Sequence, residues 1–77
     1  MVKYQLFTSK DCYPCTKMKK EIAKNNNPLN IEIIDIEEKI DLAIDNNIMS
    51  VPTLLKIDGS DVTKFVGYKT QAEIEKL

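Results

Sequence analysis

The run Thr8-Ser9-Lys10-Asp11-Cys12-Tyr13-Pro14-Cys15-Thr16-Lys17 holds both cysteines of this 77-residue chain and so all of its thiol chemistry. Pro14 suits a first helical turn, where its missing N–H costs nothing. Cys15, Met18 and Ile22 then recur at helical spacing, with Lys17, Lys19, Lys20 and Glu21 on the other side. The two thiols therefore open a helix. Partial positive charge at that terminus favours a thiolate on Cys12, which points outward, and Cys15 lies one turn on, placed to attack a mixed disulfide formed by Cys12. Such a pair can close a disulfide and reopen it.

Other uses of two thiols at this spacing remain open at this point. A structural disulfide over so short a loop removes only about 2 kcal/mol of unfolded-state entropy before strain is subtracted. A zinc site takes about four ligands. The chain has no histidine and no further cysteine, so one subunit supplies half a set of thiolates. Two subunits could share a metal ion or an iron–sulfur cluster. Two inert, packed thiols are the remaining case.

Residues 1–77 read as a single domain, small enough that its core must use nearly every apolar side chain available. A formal net charge of −1 gives no electrostatic argument for nucleic acid or an anionic membrane. The opening Met1-Val2-Lys3-Tyr4-Gln5 lacks the apolar stretch of a signal peptide, and no run approaches a membrane span, so the expected location is cytoplasmic. In that compartment ordinary thiols are kept reduced, and a vicinal pair is more often catalytic than structural.

Val2 to Phe7 predicts a strand with Val2, Tyr4 and Leu6 on one face, and Asn25-Asn26-Asn27-Pro28 ends the helix that follows the cysteines. Leu29 to Ile36 is apolar at positions 31, 33, 34 and 36, the pattern of a strand covered on both faces. The resulting βαβ unit makes the first two strands parallel. Glu37 to about Asn46 carries Ile40, Ala43 and Ile44 on one side and Asp41 and Asp45 on the other, the pattern of a short helix. Thr53 to Ile57 and Val62 to Val66, joined by Asp58-Gly59-Ser60-Asp61, form a hairpin, in which Lys64 suits an outer strand that resists edge pairing. Thr70 and Glu73 make a capping box for a last helix with Ile74 and Leu77 on its apolar stripe.

This order of strand, Cys-x-x-Cys, strand, helix, Val51-Pro52-Thr53, hairpin, Gly67 and helix resembles, over essentially the whole chain, the thioredoxin/glutaredoxin family in its minimal, glutaredoxin-sized form. The resemblance implies an α/β thioredoxin fold, β-α-β-α-β-β-α, with a four-stranded mixed sheet flanked by three helices. It corrects the generic expectation of a second parallel crossover: the strand after Pro52 runs antiparallel to the first, which gathers Cys12, Pro52 and Gly67 at one edge. It implies a cis Val51-Pro52 bond that leaves the Val51 backbone free to pair with an extended substrate segment. Cys12 is then the nucleophile and Cys15 the resolving thiol, with Tyr13, Pro14, Val51, Pro52, Gly67 and Tyr68 lining the substrate site and Lys10 helping to hold the thiolate.

Within the family, Cys12-Tyr13-Pro14-Cys15 places proline before the second cysteine, as in the Cys-Gly-Pro-Cys of thioredoxins, and not as in the Cys-Pro-Tyr-Cys of glutaredoxins. Ser9 stands where glutaredoxins tend to have lysine. Gly67-Tyr68-Lys69-Thr70-Gln71 lacks their second glycine and aspartate, which leaves the clamp for glutathione's charged ends incomplete. Gly67-Tyr68-Lys69 is similar to the run in redoxins that feed ribonucleotide reductase and are recharged by thioredoxin reductase. Two departures from thioredoxins stand out: Asp11 replaces the tryptophan before the first cysteine, and Leu6 replaces the buried acid. Slower or more pH-sensitive exchange is expected. The implied protein is a monomeric, cofactor-free dithiol–disulfide oxidoreductase, acting on protein disulfides with thioredoxin reductase as partner. The alternatives are a glutathione-dependent glutaredoxin and, from another class, a dimeric metal or iron–sulfur carrier.

Overall fold

The computed structural model describes residues 2–77. Strand β1 (Val2–Thr8) leads to helix α1 (Tyr13–Lys24), strand β2 (Glu32–Asp35), helix α2 (Ile40–Asp45), strands β3 (Thr53–Asp58) and β4 (Asp61–Val66), and helix α3 (Gln71–Glu75). The sheet order is β2-β1-β3-β4. β1 pairs with β2 in parallel, and with β3 in antiparallel from Val2↔Asp58 to Phe7↔Thr53, so the expected mixed sheet is present.

Side-chain alternation along the strands divides the core into two layers. On one face Leu6, Leu54 and Ile31 pack with Met18 and Ile22 of α1 and Ile74 of α3. On the other, Phe7, Ile34 and Leu55 pack with Leu42 of α2, and with Ile48 and Val51 from the segment that follows it. β1 and β3, the two central strands, are covered on both faces: Gln5 to Thr8 and Thr53 to Leu55 are all buried.

The local chemistry of each boundary is visible in the backbone. Asn26 (φ 61°) and Asn27 (φ 46°) adopt the left-handed conformation that asparagine tolerates better than most side chains, and they end α1. Asn27 then holds the approach to β2 through both ends of its amide: Oδ1 accepts from the Ile31 N–H (2.8 Å), and Nδ2 donates to the Ile31 carbonyl (3.0 Å). Gly59 takes φ 62° in the two-residue connection between β3 and β4. The capping box is formed in full, with Thr70 Oγ1 accepting from the Glu73 N–H and Glu73 Oε1 accepting from the Thr70 N–H.

Two sequence-based expectations need correction. The apolar run from Leu29 yields only four strand residues at the sheet margin, and Ile33 is 42% exposed. β2 has a neighbour on one side only, and its outer position leaves part of it without a helix overhead. Likewise α2 begins at Ile40, three residues later than its pattern suggests, and Ala43 is its buried residue; Ile40 and Ile44 stand 60% and 65% exposed. A six-residue helix is less than two turns and cannot turn a whole apolar stripe toward one sheet.

Candidate functional site

Antiparallel pairing of β1 with β3 places the end of β1, where the Cys12 loop departs, beside the start of β3 at Pro52-Thr53. β4 returns to the same edge: Thr53 pairs with Val66, and the Gly67 N–H donates to the Pro52 carbonyl at 2.9 Å. Three segments distant in sequence thus meet at one end of the sheet. Gly67 has φ 102°, and this conformation, rather than crowding, is what calls for glycine, because a Cβ there would meet nothing within 4 Å.

Cys12 and Cys15 are joined by a disulfide, with Cα atoms 5.2 Å apart. Their environments differ. Cys12 is the N-cap of α1 and partly exposed, whereas Cys15 is completely buried beneath it. The Cys15 N–H points at Cys12 Sγ (3.1 Å), so the first turn of the helix directs a donor at the sulfur that would carry charge after reduction. Thr16 fixes the same turn from the other side, its N–H and hydroxyl both reaching the Cys12 carbonyl (3.1 and 3.2 Å).

Around this pair, Tyr13 is 78% exposed and Pro14 is exposed beside it in the first turn of α1. The Val51-Pro52 peptide bond is cis. Pro52 is buried and Val51 half-buried. Among the described residues the Val51 backbone takes part in no strand pairing and no loop hydrogen bond. Tyr68 packs its body against the α1/α3 core layer, and the Lys17 ammonium lies 4.7 Å from the centre of its ring. Lys10 enters through its backbone: its N–H donates to Glu37 Oε1 (3.3 Å).

Glu37 was not legible in the sequence as part of the site. Its Oε1 also accepts from the Ser9 hydroxyl (2.9 Å), so one carboxylate ties down the loop before Cys12, while its own N–H is held by Asp35 Oδ1 (2.8 Å). No periodicity could have announced a partner 28 residues away. Lys64 is the second omission. It stands exposed on β4, and its ammonium donates to the carbonyls of Asn46 and Asn47 (3.0 and 2.9 Å), capping the C-terminus of α2 just before the segment that leads to Val51. Leu6 is fully buried, as its place in the apolar layer requires. Among the described residues no three of Cys, Asp and Glu are grouped so as to hold a metal ion.

Comparison with known proteins agrees with this geometry. The family described as "Thioredoxin-like domain" matches residues 4–77. Mitochondrial thioredoxin of Mus musculus is 35% identical over 74 residues, which cover 90% of this chain and 45% of that protein. The same protein of Bos taurus is 32% identical over the same length. The chain therefore spans about half the length of the curated relatives it matches. Among solved structures, chloroplastic thioredoxin z superposes with a TM-score of 0.81 at 22% identity, covering 99% of this chain and 74% of that one. A mutant thioredoxin from Halobacterium salinarum NRC-1 gives 0.81 at 20% identity, covering 97% and 69%. At those identities the superpositions speak for the fold.

Proposed function

We propose, because the chain belongs to the thioredoxin-like family, that it is a thiol–disulfide oxidoreductase that reduces protein disulfides through the Cys12–Cys15 pair. The observation that carries this reading is the asymmetry of the pair: a partly exposed Cys12 with an N–H aimed at its sulfur, over a fully buried Cys15. In the reduced protein the Cys12 thiolate attacks one sulfur of a substrate disulfide, forming a mixed disulfide and releasing the other sulfur as a thiolate. Cys15, as its thiolate, then attacks Cys12 Sγ. The second substrate thiol leaves, two electrons have passed to the substrate, and the protein is left with the disulfide described above.

The Val51 backbone, unpaired at the same edge, accepts an extended substrate segment by strand-like hydrogen bonds. Tyr13, Pro14, Pro52, Gly67 and Tyr68 form the surface on which that segment rests. Lys10 adds positive charge beside Cys12 at a level typical of exposed groups, about 1 kcal/mol or less.

The reductant in this reading is a thioredoxin reductase, the setting cytoplasmic and the protein monomeric. Support against glutathione comes from α3: the Thr70 N–H at its N-cap and the Glu73 N–H in its first turn, donors of the kind an anionic ligand end would use, are already engaged by Glu73 and Thr70 of the chain itself. Ribonucleotide reductase is a candidate recipient of the electrons, on the similarity of Gly67-Tyr68-Lys69 alone. The experiment is to supply the oxidised protein with NADPH and either thioredoxin reductase or glutathione plus glutathione reductase, and to follow NADPH consumption. Rapid turnover is expected with the first couple. Turnover with the glutathione couple alone overturns the choice of reductant, and reduction of no protein disulfide under either overturns the function.

A further inference from the structure

Three large apolar side chains stand in solvent beside the redox edge: Ile40 (60% exposed), Ile44 (65%) and Met49 (92%). They flank a groove of about 410 Å³ floored by Ile36, Ala43 and Ile48. The apolar floor and walls converge in one place, unlike the scattered single exposures found on any protein surface. Nothing in the fold requires them there. Phe7, Ile34 and Leu55 are already covered on this face by Leu42, Ile48 and Val51.

The groove adjoins the loop that leads to Cys12. Glu37 lines it and also binds Ser9 and Lys10 of the loop before Cys12. Met49 lines it and lies two residues before Val51. The charge around it is mostly acidic: Glu37, Glu38, Asp41 and Asp45 are exposed along this stretch against Lys39 and the Lys64 ammonium that reaches the Asn46 and Asn47 carbonyls. A second copy docking by the same patch would set these carboxylates against their counterparts, and like charges brought together across an interface cost affinity.

We propose that this groove docks a segment of a partner protein that carries apolar side chains bracketed by lysine or arginine, and so selects disulfides lying in basic-apolar surroundings. The inference rests on the redox reading and names the kind of partner that reading leaves open. The apolar side chains fill the groove between Ile40, Ile44 and Met49. The bracketing cations meet Asp41 and Asp45, which stand exposed on α2 outside the groove lining, while the partner's disulfide reaches Cys12 past the Ser9–Glu37 contact.

The test separates docking from chemistry. The oxidised, isotope-labelled protein is titrated with a synthetic peptide bearing leucine and arginine around a serine in place of cysteine, and with a control in which glutamate replaces arginine. Amide shifts centred on residues 36–51 and extending to the Cys12 edge, seen with the arginine peptide and not with the control, are expected. Affinity should fall about tenfold in the Asp41→Lys, Asp45→Lys double variant, and also in about 1 M salt, where the screening length is about 3 Å. Ile44→Ser should weaken binding while leaving the rate with a small aromatic disulfide unchanged. Equal binding of the two peptides, or shifts that leave residues 36–51 unmoved, overturns the docking proposal. Its failure with small-disulfide reduction intact leaves the redox function standing, whereas docking without any reduction removes the redox function and not the groove.

Discussion

Removing the ammonium of Lys64 while keeping its stem, as in Lys64→Met, should destabilise the protein and loosen the segment before Val51. The side chain gives two charge-assisted hydrogen bonds just past the end of α2, at 3.0 and 2.9 Å from the carbonyl oxygens of the C-cap Asn46 and of Asn47. A cation at an exposed helix C-terminus is worth about 0.3–1 kcal/mol. Two bonds from one solvent-exposed group share that interaction, so the loss should be about 1 kcal/mol. α2 has little to set against it. It is six residues long, has no side-chain N-cap, and is too short to be stable alone. For a domain of this size such a loss lowers the melting temperature by about 4–8 °C.

Thermal unfolding of the oxidised variant by far-UV circular dichroism measures the shift, and amide hydrogen exchange over residues 46–51 localises it. Lys64→Arg should recover most of the loss. If Lys64 served only to deter pairing along the β4 edge, Lys64→Met would melt with the parent protein and instead self-associate in light scattering. A melting temperature within about 1 °C of the parent refutes the capping argument.

Cys12→Ser should abolish reduction of a protein disulfide, whereas Cys15→Ser should accumulate a mixed disulfide visible by mass spectrometry under non-reducing conditions; the opposite assignment would invert the two roles. Met18→Ala, at a fully buried position between α1 and the sheet, should cost about 2–5 kcal/mol in urea unfolding, and a value near zero would mean that the layer is not packed as described. Glu73 is held below the usual carboxylate range, first by the Thr70 N–H and then by the Thr70 hydroxyl. A depressed folded-state value contributes stability above the unfolded pKa and loses it as pH falls through the folded one. The melting-temperature gap between the parent and Glu73→Gln should therefore be full above about pH 5 and close as the pH drops below about 4. A gap that persists or widens in acid contradicts the capping box.

Much of the candidate site was legible because its parts are local. Cys12, Pro14 and Cys15 fall within a single turn, and the helix that carries them is written in the spacing of Cys15, Met18 and Ile22. The Thr70/Glu73 cap and the Gly59 turn are equally short-range, so side-chain chemistry within a few residues was enough to place them. Glu37 and Lys64 were not legible as partners of the loop before Cys12 and of the end of α2, because their hydrogen bonds span 28 and 17–18 residues of chain.

The amino-acid sequence by itself determined where helices and strands begin and end to within a few residues, which thiols can pair, and through its likeness to a family the direction of the third strand. Only the tertiary structure decided which apolar side chains are core. Ile33, Ile40, Ile44 and Met49 read like Ile34 and Ile48 in the sequence, yet they face water because one edge strand and a helix of less than two turns leave them uncovered. Periodicity assigns a residue to a face; whether anything lies over that face depends on strand order and on the length of neighbouring elements, and those are properties of the assembled chain.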